Sequence, residues 1–280
     1  MNRIHIIYTT GRLPRLAASG LFAAVVAAAV IIPAAAARAE LAAHRAIYSL
    51  KLSETRDHAS LTDIRGAMIS VMEKSCDGWM LTQNMSMELY TTGGRTIRQN
   101  MSFAGWEGSN GKSYRFVARN RSGDVDRRFM GRARTEVDLP GKAVFRIPEN
   151  KKISLPEGTM FPIGHMAWLI GQARAGVREA PRFLFDGADG TGPQEVDTFI
   201  GRKVSSADKG RARLGPLTDQ AGWMMRMAFY PVGGRGSVPE YEIEVLQLEN
   251  GVAPRMILDY ENFSIIMELE KIEAIPAPDC

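Results

Sequence analysis

The chain has 280 residues, 45% of them apolar and 24% charged, with 35 Lys+Arg against 31 Asp+Glu. Residues 1–39 hold four arginines (Arg3, Arg12, Arg15, Arg38) and no acid, so the remainder is formally neutral. The pI near 9.1 therefore belongs to the opening segment and carries no argument for nucleic acid.

That opening segment reads as an export signal. Arg3, Arg12 and Arg15 form a positive n-region, Leu16 to Ile32 form an apolar run broken only by Ser19 and Gly20, and Ala37-Arg38-Ala39 offers a small-x-small cleavage site. Cleavage after Ala39 leaves residues 40–280 as one domain in the periplasm. An uncleaved anchor is the competing reading, disfavoured because the run is mostly alanine and stops at Pro33 beside the cleavage site. There is no twin-arginine pair, and no cysteine follows the cleavage site to accept a lipid. The chain holds only two cysteines, Cys76 and Cys280. In an oxidising compartment they invite one disulfide.

From His44 onward, short stretches of apolar alternation predict strands. Ala46, Tyr48, Leu50 and Leu52 share one face; so do Trp79, Leu81, Met85, Met87 and Leu89, with Gln83 interrupting. Turns are predicted at Cys76-Asp77-Gly78, Thr92-Gly93-Gly94, Gly108 to Gly111, Ser122-Gly123-Asp124 and Leu139-Pro140-Gly141. Arg127-Arg128 and Arg132-Ala133-Arg134 between these turns read as solvated strand faces. Between Thr159 and Ala175 the spacing changes to three and four, with Ile163, Met166, Ala167, Ile170 and Ala173 on one side. This predicts a single amphipathic helix, capped by Thr159 and closed at Gly176. Further strands are expected at 182–185, 196–205, 223–230, 241–248, 255–259 and 263–272. The polar stretch DGADGTGP (Asp186 to Pro193) reads as a loop inside one domain. The pattern is mainly β, an antiparallel meander whose sheet curls around one helix and so protects its own edges.

Motifs for chemistry are scarce. His44, His58 and His165 lie in no metal spacing, and there is no GxSxG, SxxK or phosphate-binding loop. Met80, Met85 and Met87, with Met224, Met225 and Met227, raise a thioether copper(I) site as an alternative to packing. Packing, or an adaptable apolar pocket, is the better reading. Trp79, Trp106, Trp168 and Trp223 read as core anchors. Glu240, Glu242 and Glu244 fall on one strand face, where they ordinarily meet water. No cofactor, metal site or catalytic residue is expected.

The opening AAHRAIYSLKL (Ala42 to Leu52), the helix region with Phe161, Pro162 and His165 followed by LIGQARAG, the FDG of Phe185 to Gly187, and the run from PEYEI to ENGVAPRMILDYENFS (Pro239 to Ser264) carry a resemblance. Together with Cys76 and the terminal Cys280, they resemble the EipB-like family of alphaproteobacterial envelope-integrity proteins. Two positions depart from the pattern: Ala43 stands where proline is usual, and Ser49 where aspartate is. The resemblance implies a periplasmic β-spiral, a broken barrel around one helix, stapled by the disulfide and similar in outline to LolA/LolB-type lipoprotein carriers. It also implies a tetratricopeptide-repeat protein as a partner. His44, Arg45, Tyr48 and His165 match as family landmarks, for which a structural role is expected: His44 pairing across strands, Arg45 satisfying a carboxylate, His165 a satisfied histidine in the core or at its boundary.

Two function classes fit. One is a non-enzymatic, monomeric envelope protein that binds another periplasmic component through a hydrophobic cavity between sheet and helix, a lipid or lipoprotein carrier being a variant of it. The other is a hydrolase of envelope polymer using carboxylates that the sequence does not identify. A carrier requires an apolar pocket of roughly several hundred Å³. An enzyme requires converging ionisable groups with shifted pKa values.

Overall fold

A computed structural model of the chain describes residues 40–56, 59–206, 209–233 and 238–280. The export signal expected over residues 1–39, and His58, lie outside the described residues.

Eight strands run outward in sequence from the middle of one sheet: β1 (His44–Thr55), β2 (Leu61–Ser75), β3 (Gly78–Thr91), β4 (Thr96–Gly108), β5 (Ser113–Ser122), β6 (Val125–Glu136), β7 (Leu139–Ile147) and β8 (Lys152–Leu155). After helix α1 (Pro162–Arg174) the chain returns through β9 (Glu179–Leu184), β10 (Gln194–Val204), the short α2 (Lys209–Ala212), β11 (Gly222–Pro231), β12 (Tyr241–Leu248), β13 (Arg255–Asp259) and β14 (Phe263–Ala274). All neighbours pair antiparallel, and β14 lands beside β1, which makes one 14-stranded sheet with β8 and β9 at its edges. The fold is the mainly antiparallel, open β architecture that the alternation predicts.

The edges are managed rather than closed. β8 has four residues, and β9 carries Pro181, which cannot donate to a further strand. The chain leading into α1 runs along β9, where Met160 exchanges hydrogen bonds with Phe183 and Phe185 in a single parallel bridge.

The inward face is packed in three groups. Tyr48, Leu50, Ile64, Met87 and Met267 centre the first, on the strands around β1. In the second, Leu169, Ile170 and Ala173 of α1 press on Ile200, Trp223, Met225 and Val245 of β10 to β12. The third joins Tyr114, Phe116 and Phe145 to Phe161 and Phe185. Here Phe161 stacks on Tyr114 at 4.7 Å, and Phe116 meets Phe145 and Phe185 edge-on at 5.1 and 5.6 Å. α1 thus packs on β10 to β12, while Phe161, just before it, packs on β5.

Most predicted turns stand, with Gly94, Gly111 and Gly123 at positive φ. Leu139-Pro140-Gly141 is not a turn: the chain reverses at Val137-Asp138, with Asp138 at φ 56°. Aspartate tolerates that left-handed conformation, and Pro140 and Gly141 fall beside a register shift in the β6–β7 ladder, where a missing N–H is tolerated. Thr159 does not cap α1 either. Its hydroxyl donates to the Pro156 carbonyl, and the helix begins later, with Pro162 in its first turn after Phe161. Gly176 does close the helix. At φ 78° it donates to Ala173 while Val177 donates to Gln172.

Candidate functional site

The start of α1 lacks a local side-chain cap, and a distant strand supplies one. Glu107, near the end of β4 and 4% exposed, accepts hydrogen bonds from the Ile163 and Gly164 N–H groups, each at 3.0 Å. A buried carboxylate on the first-turn N–H groups also meets the positive end of the helix dipole.

Beyond this cap a cleft of about 490 Å³ runs between α1 and the ends of β4, β6 and β9. Small residues on the helix, Gly164, Ala167 and Gly171, keep it open; a Cβ at Gly171 would meet nothing within 4 Å. Its walls mix Met160, Phe161 and Trp168 with Glu107, Gln172 and Arg182. The Arg182 guanidinium lies over the Trp168 ring at 4.4 Å, a cation–π contact. Among the described residues Arg182 has no carboxylate within salt-bridge distance, and its Nε is buried without a hydrogen-bond partner. The His165 ring stacks on the same tryptophan at 5.9 Å, with Nε2 also buried and unpartnered. Burial first, and the Arg182 charge second, push the His165 pKa down to about 4. The imidazole is neutral at pH 7 and lies in the core at 4% exposure, with Nε2 left unsatisfied where a satisfied histidine is expected.

The closest approach to an acid–base arrangement is at Tyr114, whose phenol pKa is pushed well up by burial and by the charges of Asp186 and Glu107. Burial raises the Asp186 pKa as well. Yet Glu107 holds the helix start, and the Asp186 carboxylate accepts from the Ala188 N–H within its own loop at 2.9 Å. Both acids are engaged in holding backbone.

The landmark residues are scattered rather than gathered. His44 does not pair across strands: both of its cross-strand neighbours, Met72 and Ala274, are apolar, and its Nδ1 contacts the Ala42 carbonyl at 2.8 Å. Burial lowers its pKa. Arg45 faces solvent opposite Glu273, whose carboxylate is bound by Lys271 at 2.6 Å; the Arg45 charge adds only weakly to holding it ionised. Tyr48 is 3% exposed in the first core group. His165 alone reaches the region of the cleft.

Cys76, in the β2–β3 turn, and Cys280 are joined in a disulfide with Cα atoms 5.7 Å apart and a sequence separation of 204. The methionine trios split: Met80 is 39% exposed on the outer face, whereas Met87 and Met225 lie inward in different core groups. Of the tryptophans, Trp223 is a buried anchor, while Trp106 and Trp168 are half-buried with arginines on their faces. Glu242 and Glu244 are taken up by Arg226 and Arg255. Sequence reasoning missed Glu107, Arg182 and Asp186; only the FDG at 185–187 carried a signal, since its Gly187 lies at φ 72° against the Phe116 ring.

The fold is shared with a crystal structure of a β-barrel-like protein of a domain of unknown function from Brucella abortus. The TM-score is 0.78 at 24% identity, covering 85% of this chain and 100% of that one. The cell envelope integrity protein EipB of Brucella abortus (strain 2308) is 26% identical over 255 residues, 85% of this chain and 86% of that protein. Its name describes a role in the envelope and no reaction. The model of the family described as EipB-like matches residues 35–276, and on that span the chain belongs to the EipB-like family.

Proposed function

We propose that this protein supports cell-envelope integrity from the periplasm, without catalysis, by binding another envelope component in the cleft beside α1. Family membership supports the envelope role. The observation that carries the binding reading is the cleft itself: about 490 Å³ of open space whose wall presents Trp168 with a stacked, carboxylate-free Arg182. An aromatic surface beside a forked cation suits a protein segment that carries both apolar and carboxylate groups. A tetratricopeptide-repeat protein is the partner class that the family resemblance suggests. A lipid or lipoprotein is the second reading, favoured by Met160, Phe161 and Trp168 in the same walls. Export with removal of residues 1–39, followed by oxidation of Cys76 and Cys280, accounts for the disulfide.

Complementation of a deletion strain under detergent stress tests this. Trp168→Ala and Arg182→Gln variants, folded and exported at normal levels, are expected to leave the envelope sensitive. Full rescue by both would remove the cleft from the function. Native mass spectrometry of protein from the periplasm separates the occupants: a bound lipid favours the carrier reading, a bound polypeptide the partner reading.

A further inference from the structure

Another concavity lies on the opposite side of the sheet from α1. Strand register places Met80, Trp106, Arg115, Arg132 and Val144 in one row across the outward face of β3 to β7. With Val117, Met130 and Arg146 they line a groove of about 690 Å³. Met80 and Val117 are 39% and 46% exposed.

The arginines of this groove lack acidic partners among the described residues. Arg115 lies over the Trp106 ring at 4.8 Å and directly opposite Arg132 across the β5–β6 ladder. Like charges in that position are destabilising. Arg146 is the extra residue at the register shift between Met130 and Gly131, and such a bulge re-aims a side chain. Among the described residues none of the three has a carboxylate within salt-bridge distance. Several other arginines on the sheet are paired, Arg119 and Arg121 with Asp126, Arg226 with Glu242 and Arg255 with Glu244, whereas Arg182 on β9 is not.

We propose that this groove docks an acidic segment of another protein, with carboxylates on Arg115, Arg132 and Arg146 and apolar side chains against Trp106, Val117 and Met130. Charge complementarity identifies the occupant: forked guanidinium groups match carboxylates two bonds at a time, and an apolar strip beside them anchors a mixed sequence. A bilayer surface fits poorly, because the apolar groups line a concavity instead of projecting from the surface. A second copy of the chain is the competing occupant, and the test below separates it. This surface is separate from the α1 cleft and stands or falls independently of it.

Isothermal titration of the purified full protein tests the assignment. The probes are a short synthetic peptide alternating glutamate with leucine, its glutamine-for-glutamate counterpart, and phosphatidylglycerol vesicles. The acidic peptide is expected to bind, to weaken with added salt, and to lose about tenfold or more in affinity to the Arg115→Gln/Arg132→Gln double variant. That variant relieves a repulsion, so its melting temperature should not fall; Arg146→Gln provides a second test if it does. Arg119→Gln, on a paired arginine, and Trp168→Ala should bind the peptide as the parent does. Undiminished binding to the double variant, equal binding of the glutamine peptide, binding to vesicles alone, or absence of peptide binding would each overturn the assignment. Concentration-dependent dimerisation abolished by the double variant would give the groove to a second copy instead.

Discussion

Glu107 and Gly164, far apart in sequence, fit each other as cap and clearance: the carboxylate Oε1 accepts the Gly164 N–H at 3.0 Å, and a Cβ at that position would lie 2.5 Å from the same oxygen. The helix start that borders the cleft is therefore set from β4. Gly164→Ala is expected to destabilise the parent protein by about 1–3 kcal/mol, because the cap must move or the side chain overlap. In a Glu107→Ala background, itself destabilised by about 2 kcal/mol through two orphaned buried N–H groups, the same substitution should turn neutral or stabilising, since alanine is the better helix former by about 1 kcal/mol. A double-mutant cycle by urea unfolding reads the reversal. Additive losses would show that the two residues are not coupled.

The disulfide closes a loop of sequence separation 204 and ties the chain end after β14 to the β2–β3 turn. Chain-entropy arithmetic gives up to about 5 kcal/mol for so long a loop. Cys280→Ser, or reduction, is expected to lower the melting temperature while leaving the far-ultraviolet circular dichroism of a β protein. Identical calorimetric traces with and without reductant would remove the bridge from the stability account.

His165 makes stability fall in mild acid. Its folded pKa of about 4 lies below the ordinary histidine value of 6.5, so between these values the unfolded chain binds the extra proton and stability rises with pH. The contribution is complete above about pH 6.5 and lost by about pH 4. From pH 7 to pH 5 the loss is about 2 kcal/mol. His44, also lowered by burial, acts in the same direction. Comparing urea midpoints of the parent and His165→Leu at pH 7 and pH 5 isolates the His165 part. Parallel pH dependence in the two proteins would mean that His165 is not held neutral.

Two glycines with similar backbones separate strain from packing. Gly187 (φ 72°) would place a Cβ 2.6 Å from the Phe116 ring, whereas Gly123 (φ 55°) has nothing within 4 Å. Gly123→Ala should cost about 1–2 kcal/mol for the left-handed backbone alone. Gly187→Ala should cost about 3 kcal/mol or more, adding an overlap with the third core group. Equal losses in thermal melts would show that the 185–190 loop does not press on β5.

Where short runs of apolar and β-branched residues are bounded by turn residues, the sequence was enough: β12 and β13 begin and end where expected. It failed where the decisive partner is remote. Pro140-Gly141 looks like a turn, but the reversal falls on Val137-Asp138, and the proline is accommodated by a register shift visible only in the paired strands. Thr159 looked like a cap because the true one, Glu107, lies on another strand and carries no local signal. The sequence also put Arg132 on a solvated strand face but gave no sign that the face is concave there. A reading of Arg132 as merely solvated overlooks the groove.

The central claim, a binding role for the cleft beside α1, is tested most directly by placing a photo-crosslinking amino acid at Gln172, within the cleft, and irradiating living cells. A discrete adduct at Gln172 is predicted, absent when Trp168→Ala is added and absent from a control position at Glu54 on the exposed part of β1. No adduct at Gln172, or one that persists undiminished without Trp168, would contradict it.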